Sequence, residues 1–358
     1  MSNTLWPTIS RYASDLCVLR SVTSWEAAHE RGQFYLSTSH SFNPVAALEI
    51  PHVGAVCGFE RGLSGSIPPF VAVNAGQIQG SAILCGKYAP FTPDAQRTGL
   101  ATLQHYGYFD GQARFNQRAA MLDVLEAPLV KTPLSEESAA MVNYREAARS
   151  LMYKEAVAST FQFSQQDELR YGNNNFGRSL LVIRNLVRAD SGAAYLTTTL
   201  GGWDMHFNLW DRSYFQNMYA NAAMLDTGLG QLIADLKASG HLAKTLIVVM
   251  GEFGRTPGDL NSRGGRDHWR DTMCALLVGG GVKGGQVIGD TTADGSAIAT
   301  PGWSQDRPIY MEDITATIYS ALGINWTKAT TDTPTGKQFE YVPGANKDIY
   351  MPVDEVFA

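Results

Sequence analysis

No stretch of the chain approaches the roughly 18 consecutive apolar residues that a membrane-spanning helix requires, so no transmembrane segment is read from the sequence. Cysteine is scarce. Cys17, Cys57, Cys85 and Cys274 are the four among 358 residues, and none belongs to a CxxC pair. That spacing excludes the common cysteine–zinc and dithiol motifs and favours buried free thiols over a disulfide framework. Basic residues are outnumbered, 28 Lys and Arg against 34 Asp and Glu, and a net charge of −6 gives no electrostatic reason to expect nucleic acid as a partner. Met1 to Ser14 lacks a basic region followed by an apolar core, so no export signal is read there and the chain as written is expected in the cytoplasm. Internal repeats and low-complexity linkers are also missing, which leaves a single domain over 1–358 as the simplest organisation.

Glycine, by contrast, is abundant at 35 residues, many of them in GG or GxG clusters at the ends of apolar runs. With 44% hydrophobic and 17% charged residues the composition is that of a globular protein with a large core. Apolar runs at 15–22, 68–73, 193–200, 245–250 and 272–278 read as strands. Helical periodicity marks 178–187, 214–239 and 312–322, the last two stopped by Gly240 and Gly323. A longer helix is predicted from Ser135 to about Phe161, with Glu136 and Glu137 in its first turn. Residues 25–67 are expected to form loops and short helices, and 89–133 an irregular excursion. The alternation of strand and helix from 178 to 323 predicts an α/β fold, its central sheet mostly parallel and covered by helices. The runs 193–200, 245–250 and 272–278 are expected to lie together in that sheet.

The chemistry concentrates where these strands end, the edge at which open α/β sheets bind ligands. The run Thr245 to Met250 breaks into Gly251-Glu252-Phe253-Gly254-Arg255, and the Gly-rich loop that follows closes on Asp267-His268-Trp269. Gly201-Gly202-Trp203-Asp204-Met205-His206 repeats the design: strand, glycines, then acid and imidazole. Asp204 and His206 stand two apart, so on extended backbone both point to one face, close enough to share an ion. Carboxylate with imidazole suits zinc, manganese or a similar ion better than calcium. Taken alone, the pair fits equally a surface acid beside a packed histidine. Glu252, directly after an apolar strand, needs a partner, because burying it unpaired is costly; Arg255 or a metal ion would serve. Asp267 and His268 are adjacent and diverge, so one ligates while the other orients a ligand or serves a second ion. Trp269 suits a pocket wall or the core.

GGWDMH, then about forty residues later TLIVVMGEFGRTP, then GGRDHW together resemble the family called domain of unknown function 1501, which is sulfatase-like and belongs to the alkaline phosphatase superfamily. The likeness extends to 13–22, 68–73, 171–177 and 313–317, and so to nearly the whole chain. The resemblance implies a three-layer, alkaline-phosphatase-like sandwich with a divalent metal ion (zinc, manganese, magnesium or calcium) at the carboxyl edge of its sheet. Asp204, His206 and His268 look like ligands of one ion and Glu252 like the surviving ligand of a second. His29 lies where family members also place a histidine. The family's opening strand and its nucleophile have no counterpart in residues 1–358, and full-length relatives often carry an export signal, which would make the location periplasmic or secreted. The implied activity is metal-dependent hydrolysis of phosphate or sulfate esters of small molecules or saccharides, with Arg255 and Arg266 pairing with substrate oxygens. The competing expectation is a non-catalytic binding or assembly protein that keeps the fold.

Overall fold

The computed structural model describes residues 2–62, 65–84, 86–100, 111–131, 155–331 and 336–357. Within them the principal sheet has four strands in the order β4-β7-β1-β8: β1 (Leu16–Val22), β4 (Ile247–Met250), β7 (Met273–Val278) and β8 (Gln286–Ile288). A separate two-stranded ladder joins β2 (Phe70–Ala72) to β3 (Tyr195–Thr197) in parallel, and β5 (Gly254–Arg255) pairs with β6 (His268–Trp269) as an antiparallel hairpin.

The principal sheet is mixed rather than mostly parallel. β7 runs antiparallel to both β4 and β1, and only β1 with β8 is a parallel pair. The reason lies in the connection. Parallel neighbours need a crossover, usually a helix, yet residues 251–272 between β4 and β7 contain the β5–β6 hairpin and no helix. β3 pairs with β2 in the described strands and not with β4.

Helices nevertheless cover both faces of the principal sheet. Along β4, Ile247 and Val249 pack into one core cluster, and Val248 and Met250 into another. The first cluster is built largely from α4 (Asn175–Ala189) and α5 (Met218–Ala238), through Leu181, Leu186, Leu229, Ile233 and Leu236. The second draws on Tyr35 of α1 (His29–Thr38), on Met311 and Ile314 of α6 (Met311–Ala321), and on Val353 and Val356. This period-2 division between two apolar layers is what an apolar strand covered on both sides requires. β4 is only half-buried along its length, because it stands at the edge of the described sheet.

Several elements differ from expectation. Residues 25–67 do hold short helices, α1 and α2 (Val53–Arg61). The stretch expected to be irregular contains α3 (Gly111–Lys131), 21 residues long. Its apolar Met121, Val124 and Leu125 are exposed, so these positions form no buried stripe from which a helical period is legible. The helix predicted from Ser135 lies outside the described residues up to 154, and its end appears as short turns at Glu155–Ala158 and Ser159–Phe161. Cys17 and Cys57 are buried free thiols and Cys274 is an exposed one; Cys85 lies outside the described residues. Among the described residues no helix is long and apolar enough to cross a membrane.

Candidate metal centre

Three segments distant in sequence meet beyond β3 and β4. The loop after β3 carries Asp204 and His206; the end of β4 and the β5–β6 hairpin carry Glu252, Arg255, Asp267 and His268; and His29 is the first residue of α1. Backbone contacts lock the first two together. Arg266 N–H donates to the Met205 carbonyl at 3.0 Å, Asn208 N–H to Arg263, and Leu209 N–H to Gly264. A Cβ on Gly265 would stand 2.1 Å from the His206 carbonyl carbon, so only glycine permits this approach. Asn261 braces the turn, its side-chain oxygen accepting from Arg263 and Gly265 N–H. α1 is pressed against the end of β4, where a Cβ on Gly32 would lie 2.9 Å from Glu252 Cγ. Ser24 N–H and the Thr23 hydroxyl both donate to the Arg270 carbonyl, holding the α1 approach beside β6.

The side chains then converge on one oxygen. His206 Nε2 lies 2.8 Å, His268 Nε2 3.0 Å and His29 Nε2 3.3 Å from Asp204 Oδ1. Ligand atoms of His29, Asp204 and His268 all fall within 4.8 Å of one another. Each ring's other nitrogen is engaged: His29 Nδ1 at 2.7 Å from Glu252 Oε1, His206 Nδ1 at 2.6 Å from Asp267 Oδ1, and His268 Nδ1 at 2.7 Å from the Ala27 carbonyl. A carbonyl or carboxylate oxygen only accepts, so each Nδ1 carries the hydrogen, and a neutral ring then turns its Nε2 lone pair inward. Three lone pairs face one carboxylate oxygen, and His206 and His268 face each other at 3.2 Å between Nε2 atoms. Such a set repels itself unless protons or a metal ion sit among the nitrogens. His29 Nε2 is, moreover, a buried atom with no hydrogen-bond partner, a cost that a ligand removes. Histidines held through Nδ1 by carboxylate or backbone oxygen are the usual form of metal-binding imidazole, and the donor set of imidazoles plus a carboxylate fits a divalent transition metal.

Asp204 is also 2.6 Å from Arg255 Nη1. Desolvation raises the Asp204 carboxyl pKa, but hydrogen bonds from Arg255 and His268 and the positive charge nearby outweigh it and hold the group well below the usual carboxylate range. Asp267 is likewise held low, chiefly by His206 and Asn261. Phe253 packs its ring 4.5 Å from that of His268 and 5.2 Å from that of His29, forming a wall.

Of the site residues expected from sequence, Asp204, His206 and His268 are thus gathered at one point, with Glu252 and Asp267 against the outer nitrogens of His29 and His206. Arg255 pairs with Asp204, not Glu252. Arg266 stands apart from the expected substrate role: its guanidinium donates to the Thr256 and Gly258 carbonyls and braces the hairpin loop. The Ala27 carbonyl and Asn261 were not legible. The former is a backbone atom, and the latter is one asparagine in a polar loop with no spacing signal.

These features define an α/β protein with an imidazole–carboxylate centre beside the ends of two strands. The chain belongs to the family described as Protein of unknown function (DUF1501), which matches residues 1–349. No curated protein matches it. Among solved structures it is similar to a sulfatase from Pseudoalteromonas sp. at 14% identity, covering 89% of this chain and 62% of that one with a TM-score of 0.42. It is also similar to the phosphonate monoester hydrolase from Silicibacter pomeroyi (14% identity, 89% and 69%, TM-score 0.44) and the lipoteichoic acid synthase from Listeria monocytogenes (12%, 90% and 66%, TM-score 0.38). The chain spans less than two thirds of the sulfatase's own length.

Proposed function

We propose that the centre binds one divalent transition-metal ion through His29, Asp204, His206 and His268, in a single domain, and serves the hydrolysis of phosphate or sulfate esters. The observation that carries the reading is the convergence of three Nε2 atoms on Asp204 Oδ1 while every Nδ1 is occupied. A bound ion supplies positive charge where an ester's transferring group becomes more negative. The chain's own groups do the rest. Glu252, Asp267 and the Ala27 carbonyl fix the three tautomers, and Phe253 shields the rings from water. Arg255, paired with Asp204, is the guanidinium assigned to an incoming oxyanion. Among the described residues no side chain is assigned as a nucleophile.

One feature favours a second reading. The network ties 27–29, 204–206 and 252–268 at one point, so an ion would also act as a staple in a non-catalytic binding protein. The test is elemental analysis of protein purified without chelator, with assays on aryl phosphates and aryl sulfates, for the native chain and His206→Ala. Near-stoichiometric metal and slow turnover, both reduced about a hundredfold or more in the variant, support the hydrolase. Metal without turnover supports the staple. A protein that takes up neither zinc nor manganese overturns both.

A further inference from the structure

A cavity of about 400 Å³ lies next to the centre, with Arg255 and Phe253 as shared walls. It is lined by Phe253 and Met273, by Thr272 and Thr291, and by Arg20 and Cys274. Arg20 and Cys274 sit on the adjacent strands β1 and β7, between the paired positions Leu19–Ala275 and Val22–Met273. Both are exposed where the neighbouring strand residues Leu19 and Ala275 are buried in the core. Arg20 is bound only at the surface: Nη1 is 2.9 Å from Asp290, itself largely exposed, and Nη2 donates to the Thr291 hydroxyl at 3.3 Å. An exposed pair of this kind contributes little and yields readily to a better anion. The cavity therefore offers apolar side chains for a compact body and, besides Arg255, a second guanidinium. The established contacts of the centre use neither Arg20 nor Cys274.

Resting on the ester-hydrolase reading above, we infer that this cavity receives the alcohol portion of the ester, a ring-sized body bearing its own anionic group, which Arg20 holds in a bidentate pair. The substrate is then an ester with two separate anionic groups, its transferable oxyanion at the centre and a carboxylate or similar group at Arg20. Size is consistent, since pockets for small ligands begin at about 300 Å³. Discrimination follows from the charge: a guanidinium held at the cavity wall favours the substituted ligand over its neutral counterpart.

Cys274 gives a readout independent of turnover. Desolvation by its surroundings raises the thiol pKa and the Arg20 charge opposes that, so alkylation is run at mildly alkaline pH. Maleimide labelling of the metal-loaded protein is followed by peptide mass spectrometry, with Cys274→Ser as the control for the site modified. The probes are phenylphosphonate and 4-carboxyphenylphosphonate, neither of which is hydrolysed as an ester. The expected result is at least tenfold slower labelling with the carboxylated probe, little protection by the unsubstituted one, and loss of the difference in Arg20→Ala. Equal protection by both probes, no protection by either, or a Cys274 that does not react at all overturns the inference. If protection holds while aryl esters are not turned over, the hydrolase reading fails and the pocket stands as a binding site for ligands with two separate anionic groups.

Discussion

Two charge networks in this molecule look alike as lists and differ in kind. Between α4 and α5, Asp235 receives Arg184 at 2.9 Å, Arg170 at 2.7 Å and the Tyr171 hydroxyl at 3.0 Å, and Arg184 reaches on to Asp167. Every member has a complementary partner, donors facing acceptors, with Arg184 and Asp235 buried between the helices and Arg170 reaching the surface. At the metal centre, three imidazole nitrogens and one guanidinium crowd a single carboxylate oxygen, and the nitrogens face one another. The first network is closed and needs nothing. The second leaves imidazole nitrogens facing one another, the gap that the proposed ion would fill. Excess of like groups at one point, rather than charge or burial as such, is what separates a site from a strut.

The sharpest way to break the comparison is Asp235→Ala, which leaves buried Arg184 with part of its complement. Removing one partner of a buried ion pair costs roughly 3–5 kcal/mol, so urea unfolding should show a loss near the lower figure. Metal content per folded molecule should be unchanged. If metal is lost as well, the two networks are not independent.

Next in size is the buried Glu312, which has the Tyr35 hydroxyl as donor. Burial pushes its carboxyl up to about 7, against the opposing hydrogen bond from Tyr35. A raised folded-state pKa means that the stabilising contribution is present in full below the ordinary pKa near 4.5 and is lost as pH rises through about 7. Native protein should therefore lose about 2 kcal/mol between pH 5 and pH 8 by chemical denaturation, on the scale of 1.36 kcal/mol per unit. Glu312→Gln should flatten that window. A variant with the native slope would show that the carboxyl is ionised throughout.

The smallest effect tests the outer shell of the centre. Asp267→Asn keeps the four proposed ligands and removes the charge behind His206. Metal affinity, measured by competition with a chromophoric chelator, should fall about 10–100-fold while stability of the metal-free protein barely moves. Unchanged affinity would mean that His206 is not oriented through Nδ1.

What could be read from the sequence follows from how local each signal is. Strand positions were legible because β1, β4 and β7 are short, mainly apolar runs, the last two closed by glycine, and α5 because Leu225 through Leu236 repeat at helical spacing. Strand direction was not. Whether β7 runs with or against β4 depends on the 251–272 connection, and its two-residue strands are too short to leave a pattern. Asp204, His206 and His268 were visible as acids and imidazoles after glycine turns. His29 came only from family likeness, since a histidine opening a helix carries no periodic signature. The pairings of Glu252 with His29 and of Asp267 with His206 depend on elements 223 and 61 residues apart and exist only in three dimensions.

Gly265 permits two loops, more than fifty residues apart along the chain, to lie against each other at the backbone. His206 and His268 accordingly have no fixed separation until α5, β4 and the hairpin have all come together. Loop-closure entropy therefore predicts that the proposed ion site forms late in folding. In a refolding experiment, uptake of cobalt or zinc should lag behind the return of helical signal and mark the moment when the last long loop closes.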